Sequence, residues 1–177
     1  AEKIINGIRV KVSPFPKRDP EAMLYKAKAT GNYINSSLAL RDALTSGYDE
    51  ALILGTDNSV NEGSGENIFL IKNNKLITPE LLTVLDGITR KTIITLANDL
   101  GLETIQRKVE LKEVFDCDEA FFTGTAAEVT PIIEIDNTII NNGIPGPITK
   151  MLQENYFSLI RGTYDKHDKW LTIISDS

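Results

Sequence analysis

Asn61-Glu62-Gly63-Ser64-Gly65-Glu66-Asn67 runs into Ile68-Phe69-Leu70-Ile71, then Asn73-Asn74, then Lys75-Leu76-Ile77-Thr78. A glycine-rich bend followed by an apolar run of strand length reads as a turn entering a buried strand, Asn67 to Ile71. Two asparagines and a second short apolar run predict a hairpin, because asparagine tolerates the left-handed backbone of tight turns. Upstream of the bend, Glu50 to Leu54 is another apolar run and reads as the strand on its other side. Gly63-Ser64-Gly65 lacks the third glycine and the strand-turn-helix context of a dinucleotide fingerprint, so by itself it is a flexible bend between strands.

Outward from this centre, strands and helices alternate. Ile8 to Val12 alternates apolar and polar residues as a strand does, and Pro14, Pro16 and Pro20 make the next stretch an extended crossing segment. From Asn32 to Thr45 there is neither glycine nor proline, and Ile34, Leu38 and Ala39 recur at helical spacing before Gly47. A second helix is expected from Thr89 to Leu100, with Ile93, Ile94, Leu96, Ala97 and Leu100 inward and Gly101 past its end. Glu103 to Val109 reads as a strand, Leu111 to Phe115 as a short helix, and Glu119 to Phe122 as a buried strand entering Thr123-Gly124-Thr125-Ala126. Val129 to Ile135 and Thr138 to Ile140 flank a turn at Asp136-Asn137. The last helix starts near Pro147 with Ile148, Met151, Leu152, Tyr156 and Leu159 on one face. There are no internal repeats. The expectation is a mixed α and β domain: residues 1–20 as a lead-in strand and proline-rich crossing, 21–177 as one large domain.

Composition removes several rival chemistries. The chain has 177 residues, 41% hydrophobic and 25% charged, enough for one domain with a sizeable core. The net charge of −6 and scattered basic residues argue against a nucleic-acid partner. No run is long enough to span a membrane, and the N-terminal apolar residues are interrupted by charge and glycine, so a soluble, cytoplasmic setting is expected. Ala1 in place of a methionine points to processing or to sequence upstream. Cys117 is the only cysteine, which leaves no disulfide framework and no cysteine-based metal site. His167 is the only histidine and lies in a polar stretch, where a solvated surface role is the plain reading. Acid-base work therefore falls to lysine, carboxylates or tyrosine.

Lys28 with Tyr33 five residues on is the first candidate pair. A lysine, with an ordinary pKa of about 10.4, becomes a nucleophile for imine chemistry when burial or a nearby cation lowers that value. Glu62 is the second candidate, since a carboxylate set against a pyridine nitrogen keeps it protonated. Taken singly, Glu62 and Glu66 read as solvated carboxylates, Lys28 and Lys26 as a surface pair, and Tyr33 as a core-facing ring. Gly87-Ile88-Thr89-Arg90 enters a helix, where free N–H groups and the dipole make an anion site. Thr123-Gly124-Thr125-Ala126 lets backbone amides approach an anion in the same way. Each feature has a bland alternative: an ordinary helix start for one and a turn for the other.

The order and spacing of all four segments, ending in Gly124-Thr125-Ala126-Ala127-Glu128-Val129-Thr130-Pro131, resemble the pyridoxal phosphate (PLP)-dependent class IV aminotransferases. Within that group the branched-chain amino acid aminotransferases are the nearest likeness, continuous from Gly7 to Trp170. Gly31-Asn32-Tyr33 and Gly65-Glu66-Asn67 stand where D-amino acid aminotransferases and aminodeoxychorismate lyases usually carry leucine-asparagine and serine-asparagine. Those two groups are the alternatives to the branched-chain reading, with a truncated, non-catalytic module that keeps the fold as a third.

The resemblance implies a pseudo-barrel of strands with surrounding helices and pyridoxal 5′-phosphate as cofactor. It implies that Lys28 forms the Schiff base and shuttles the proton, Tyr33 bonds the ring hydroxyl oxygen and walls the substrate pocket, and Glu62 pairs with the pyridine nitrogen. Ile88, Thr89 and Thr125 would hold the phosphate, and the amides of Thr125 and Ala126 the substrate carboxylate. The partners implied are a branched-chain amino acid and 2-oxoglutarate. The family also carries a smaller N-terminal domain, absent ahead of Ile8 here, that gives an arginine to the phosphate and aromatic walls to the pocket. Association with a second copy or with such a domain is expected.

Overall fold

The computed structural model describes residues 2–17, 21, 26–82 and 84–172. Pro20, in the predicted crossing segment, lies outside them. The elements are α1 (Glu2–Asn6), β1 (Ile8–Val12), a 3-10 turn (Thr30–Tyr33), α2 (Ile34–Thr45), β2 (Glu50–Leu54), β3 (Val60–Gly63), β4 (Asn67–Lys72) and β5 (Lys75–Thr78). There follow α3 (Ile88–Asp99), β6 (Thr104–Gln106), α4 (Leu111–Phe115), β7 (Glu119–Gly124), β8 (Glu128–Ile135), β9 (Thr138–Ile139) and α5 (Pro147–Ile160).

The strands close into a barrel. Neighbours run β3-β2-β1-β8-β7-β4, and a pairing of β3 with β4 joins the ends. The closing contact is a single register pair, Glu62 opposite Asn67. β5 and β6 extend the sheet beyond β4, and β9 pairs with β8. β1 lies between β2 and β8, parallel to both.

Side chains alternate across the strands as the pleat requires. Ile68, Leu70, Ala120 and Phe122 point into one cluster with Val10, Leu52 and Ile132. Their neighbours Phe69, Ile71 and Phe121 point the other way, against Ile93, Leu96 and Ala97 of α3 and Leu152 and Tyr156 of α5. Phe69 and Phe121 are register partners and their rings stack at 5.1 Å. Burying an aromatic pair of this kind contributes about 0.5–1.5 kcal/mol beyond its area.

The hairpin reading holds, with Asn73 and Asn74 both at positive φ between β4 and β5. Four expectations change. The bend contains a strand, β3, which pairs with β2 as well as β4. α2 buries Ala39 and Ala43 against Ala51 and Ile53, while Ile34 and Leu38 are 62% and 49% exposed. Small residues let the helix lie close to β2, and the larger side chains are left outside that contact. Leu100, expected inward, is the C-cap of α3 and is exposed. The strand expected over 103–109 shortens to three residues. Beyond it Arg107 turns to pair with Glu113, and Ser59 bridges to Glu110.

α5 is fixed by a buried carboxylate from another element. Glu119, at the start of β7, accepts the N–H of Ile148 at 3.0 Å and that of Thr149 at 2.7 Å, and the Thr149 hydroxyl at 2.7 Å. Gly146 is required there, because a Cβ would come within 2.0 Å of the Glu119 carboxyl carbon. The helix has no side-chain cap from its own N-cap residue, so Glu119 supplies the acceptor and the negative charge its first turn favours.

Candidate active site

The barrel seam builds the site. Gly63 N–H donates to the Glu66 carbonyl at 2.7 Å, a tight turn that brings Glu62 and Asn67 opposite each other. Both then reach the segment before α3: Asn67 Nδ2 donates to the Leu85 carbonyl at 2.8 Å, and the Leu85 N–H donates to Glu62 Oε2 at 3.0 Å. Gly87, the N-cap of α3, packs so closely that a Cβ would lie 2.3 Å from Asn67 Oδ1. The start of α3 is thereby set beside the seam. No side chain caps that helix, which leaves its first N–H groups available to an anion.

Lys28 and Tyr33 approach from the irregular segment before α2. Lys28 Nζ donates to the Tyr33 hydroxyl at 2.7 Å and sits 5.0 Å from the centre of its ring. Tyr33 is half-buried. Lys28 is exposed, not buried as the imine chemistry favours; it stands in irregular chain outside the sheet. Lys26 lines the same cleft.

Glu62 is not the solvated carboxylate its bland reading gives. Its side chain is 14% exposed, and Oε1 pairs with Lys17 Nζ, itself 13% exposed. Glu66 differs again. Its Oε2 accepts the Gly65 N–H at 2.9 Å. Burial pushes its carboxyl up to about 7, with the Glu50 and Glu62 charges adding to the rise and the Gly65 hydrogen bond and Lys28 opposing it. Burial raises Glu50 as well, against hydrogen bonds from Ala51 and Ser64. Gly63 makes room for this wall: a Cβ there would meet Glu66 Oε2 at 2.7 Å and the Phe122 ring at 3.1 Å.

Of the seven residues the sequence singles out, Lys28, Tyr33, Glu62, Ile88, Thr89 and Thr125 line one cleft of about 290 Å³. Ala126 does not. It lines a neighbouring cavity of about 430 Å³ with Ile8, Glu50 and Phe122, and Glu66 forms the wall common to both. Sequence reasoning missed Lys17, Glu50 and Tyr156, and took Thr123 only as part of the anion-binding turn, with no role for its side chain. Thr123 lines the cleft, and the Tyr156 phenol interacts with the Thr89 side chain while burial raises its pKa. Tyr156 was visible only as a core position of α5, and Lys17 sits 45 residues from its partner Glu62. Among the described residues no cluster of side chains suits a metal ion, and no helix is long and apolar enough to cross a membrane.

The cleft gathers three kinds of chemistry. An amine hydrogen-bonded to a phenol, a carboxylate held by a lysine, and helix N–H groups with threonine hydroxyls all line it. Such a site suits a small molecule with an anionic tail, a basic ring atom and an electrophilic carbon.

A sequence profile of the family described as Amino-transferase class IV matches residues 1–135. A probable branched-chain-amino-acid aminotransferase of Aquifex aeolicus is 51% identical over 96% of this chain and 55% of its own length. The branched-chain-amino-acid aminotransferase of Pseudomonas aeruginosa is 46% identical over 98% of this chain and 56% of its own. The crystal structure of a branched-chain aminotransferase from Thermoproteus uzoniensis with norvaline superposes with a TM-score of 0.91 at 43% identity, covering 95% of this chain and 56% of that one. A Thermobaculum terrenum branched-chain amino acid aminotransferase in its PLP form gives 0.90 at 40% identity, covering 93% and 54%. The chain spans about half the length of the curated relatives it matches.

Proposed function

Because this chain belongs to the class IV aminotransferase family, we propose that its cleft holds pyridoxal 5′-phosphate and serves transamination of leucine, isoleucine and valine with 2-oxoglutarate. The observation that carries the reading is the convergence of Lys28, Tyr33, Glu62, Ile88, Thr89 and Thr125 on one cleft from four separate segments. The close approach of Gly87 to Asn67, which aims an uncapped helix start into that cleft, fits a phosphate end. Branched-chain substrates are supported by the names of the relatives, and PLP by the cofactor form of a structural neighbour.

Bound PLP would supply a protonated pyridine ring that accepts electrons from the substrate Cα. The chain's own residues have distinct tasks in this reading. Lys28 is the amine that attaches the cofactor and carries the proton at its Nζ. Tyr33 orients Lys28 through the 2.7 Å hydrogen bond and presents its hydroxyl to the ring oxygen. Glu62, held in place by Lys17 and the Leu85 N–H, stands against the ring nitrogen. Ile88 and Thr89 at the start of α3, with Thr125 after β7, bind the phosphate, and the amides of Thr125 and Ala126 meet the substrate carboxylate. The setting we propose is cytoplasmic, in keeping with a single free cysteine. A second copy or an N-terminal domain would complete the site, and the exposed Ile34 and Ile88 are apolar surface suited to such a neighbour.

Absorbance tests the reading first. The purified chain with PLP should develop the visible band of a lysine-attached cofactor, and Lys28→Ala should lose it. A band that persists in the variant would mean that Lys26 or another lysine reacts. Where that band forms, leucine, isoleucine and valine should outpace D-alanine as donors to 2-oxoglutarate, and D-alanine as the best donor would overturn the substrate assignment.

A further inference from the structure

Among the described residues, three buried side-chain polar atoms have no hydrogen-bond partner: Arg90 Nε, Thr104 Oγ1 and Thr123 Oγ1. Of the three residues, only Thr123 lines the cleft. It is 1% exposed. A buried hydroxyl without a partner costs free energy that a same-shaped apolar side chain would not, so a threonine at such a place calls for a reason. Valine would suit the strand as well as threonine does.

The fold states where this hydroxyl lies. Thr123 sits on β7 directly opposite Asn67 of β4 and Val129 of β8. Asn67 in turn abuts Gly87, the N-cap of α3. By the alternation of the strand, Thr123 points to the same side as Phe121, which packs against α3 and α5, and away from Phe122, which faces the other cluster. It therefore occupies the sheet row beneath the helix start that offers the amides of Ile88 and Thr89, and it lies two residues before Thr125.

We propose that Thr123 is a further ligand of the anion at this end of the cleft, its hydroxyl donating to a bound phosphomonoester beside Thr89 and Thr125. The inference rests on the reading of this end as the phosphate site. It explains why an unpartnered hydroxyl is kept in the sheet: it meets an acceptor when the anion binds, and costs the free protein some stability until then.

The experiment compares Thr123→Val, Thr123→Ser and Thr89→Ala with the parent full chain, titrated with PLP and separately with pyridoxal, which lacks the phosphate. Thermal unfolding without cofactor is followed in parallel. Thr123→Val should bind PLP roughly tenfold more weakly, as befits a lost hydrogen bond to a charged group, with pyridoxal binding unchanged. The same variant should melt no lower than the parent, because it removes an unpartnered hydroxyl. Thr123→Ser should bind PLP close to the parent value. Equal weakening of both ligands, or a lower melting temperature with unchanged PLP affinity, would make Thr123 structural and overturn the proposal. So would parent-like PLP binding by Thr123→Val when Thr89→Ala discriminates the two ligands. If Thr89→Ala fails to discriminate them too, the phosphate reading of this end is itself wrong.

Discussion

Glu119 with Thr149, under the start of α5, and Glu66 with Thr123, at the cleft, are matched sets of groups in opposite circumstances. Glu119 accepts three hydrogen bonds, and the Thr149 hydroxyl has its partner in that carboxylate. Among the described residues, Glu66 accepts one backbone N–H and faces the charges of Glu50 and Glu62, and the Thr123 hydroxyl has no hydrogen-bond partner. The same two residue types are thus satisfied where they hold an element in place and left wanting where a ligand would arrive. Buried polar groups are normally paired, so the exceptions mark places where the sequence accepts a cost for another end.

The comparison breaks first at Glu119. Glu119→Gln keeps the shape but turns an amide N–H toward one of the two helix donors, leaving that backbone N–H without an acceptor. Folding stability should fall by roughly 2–4 kcal/mol in urea unfolding, while PLP affinity of the folded fraction stays near the parent value. A loss under 1 kcal/mol would show that α5 does not depend on this carboxylate.

Glu66 should respond with the opposite sign. Its carboxyl is raised from 4.5 to about 7 in the folded chain, so the folded state holds the proton over that interval and the unfolded state does not. The stability it contributes is fully present below pH 4.5 and is lost as pH rises through about 7. Glu66→Gln cannot lose a proton, so it should match the parent near pH 4.5 and exceed it above pH 7. The gain has an upper limit of about 3 kcal/mol, at about 1.4 kcal/mol per pKa unit. Unfolding curves at pH 5 and pH 8 decide it: an equal offset at both would remove the titration of Glu66 from the account.

How much of this was legible from sequence depends on the range of the interaction. β2, β5 and α4 begin and end where their apolar periodicity and punctuation place them, and α5 begins at Pro147 as expected. β3 was hidden because Val60–Gly63 is short and half polar, and only its pairing with β2 and β4 makes it a strand. Closure of the barrel was visible only through the family likeness, since β1 pairs with β8 across more than 120 residues that no local pattern connects. The candidate cleft divides in the same way. Lys28 and Tyr33 are five residues apart, and the Glu62 bend is one motif. Lys17 opposite Glu62, Glu50 behind Glu66 and the unpartnered hydroxyl of Thr123 arise only when distant strands meet. The misjudged face of α2 has a similar cause, because Ala39 and Ala43 are buried by β2 and not by their own hydrophobicity.

The smallest expected effect is also the most direct comparison of the two regions. Thr149→Val deletes the 2.7 Å hydrogen bond to Glu119 and leaves the two backbone N–H donors in place. Thr149 is fully buried, so the valine methyl fills the space of the hydroxyl and the change isolates the bond. Its loss should cost roughly 1–2 kcal/mol, because Glu119 keeps its remaining partners but loses one to a buried charged acceptor. The identical substitution at Thr123 should cost nothing in the free protein, since there is no bond to lose. Measured side by side, the two valine variants separate a hydroxyl kept for folding from one kept for a ligand. Equal destabilisation by both would mean that Thr123 has a partner in the folded protein, and the contrast between the helix cap and the cleft would collapse.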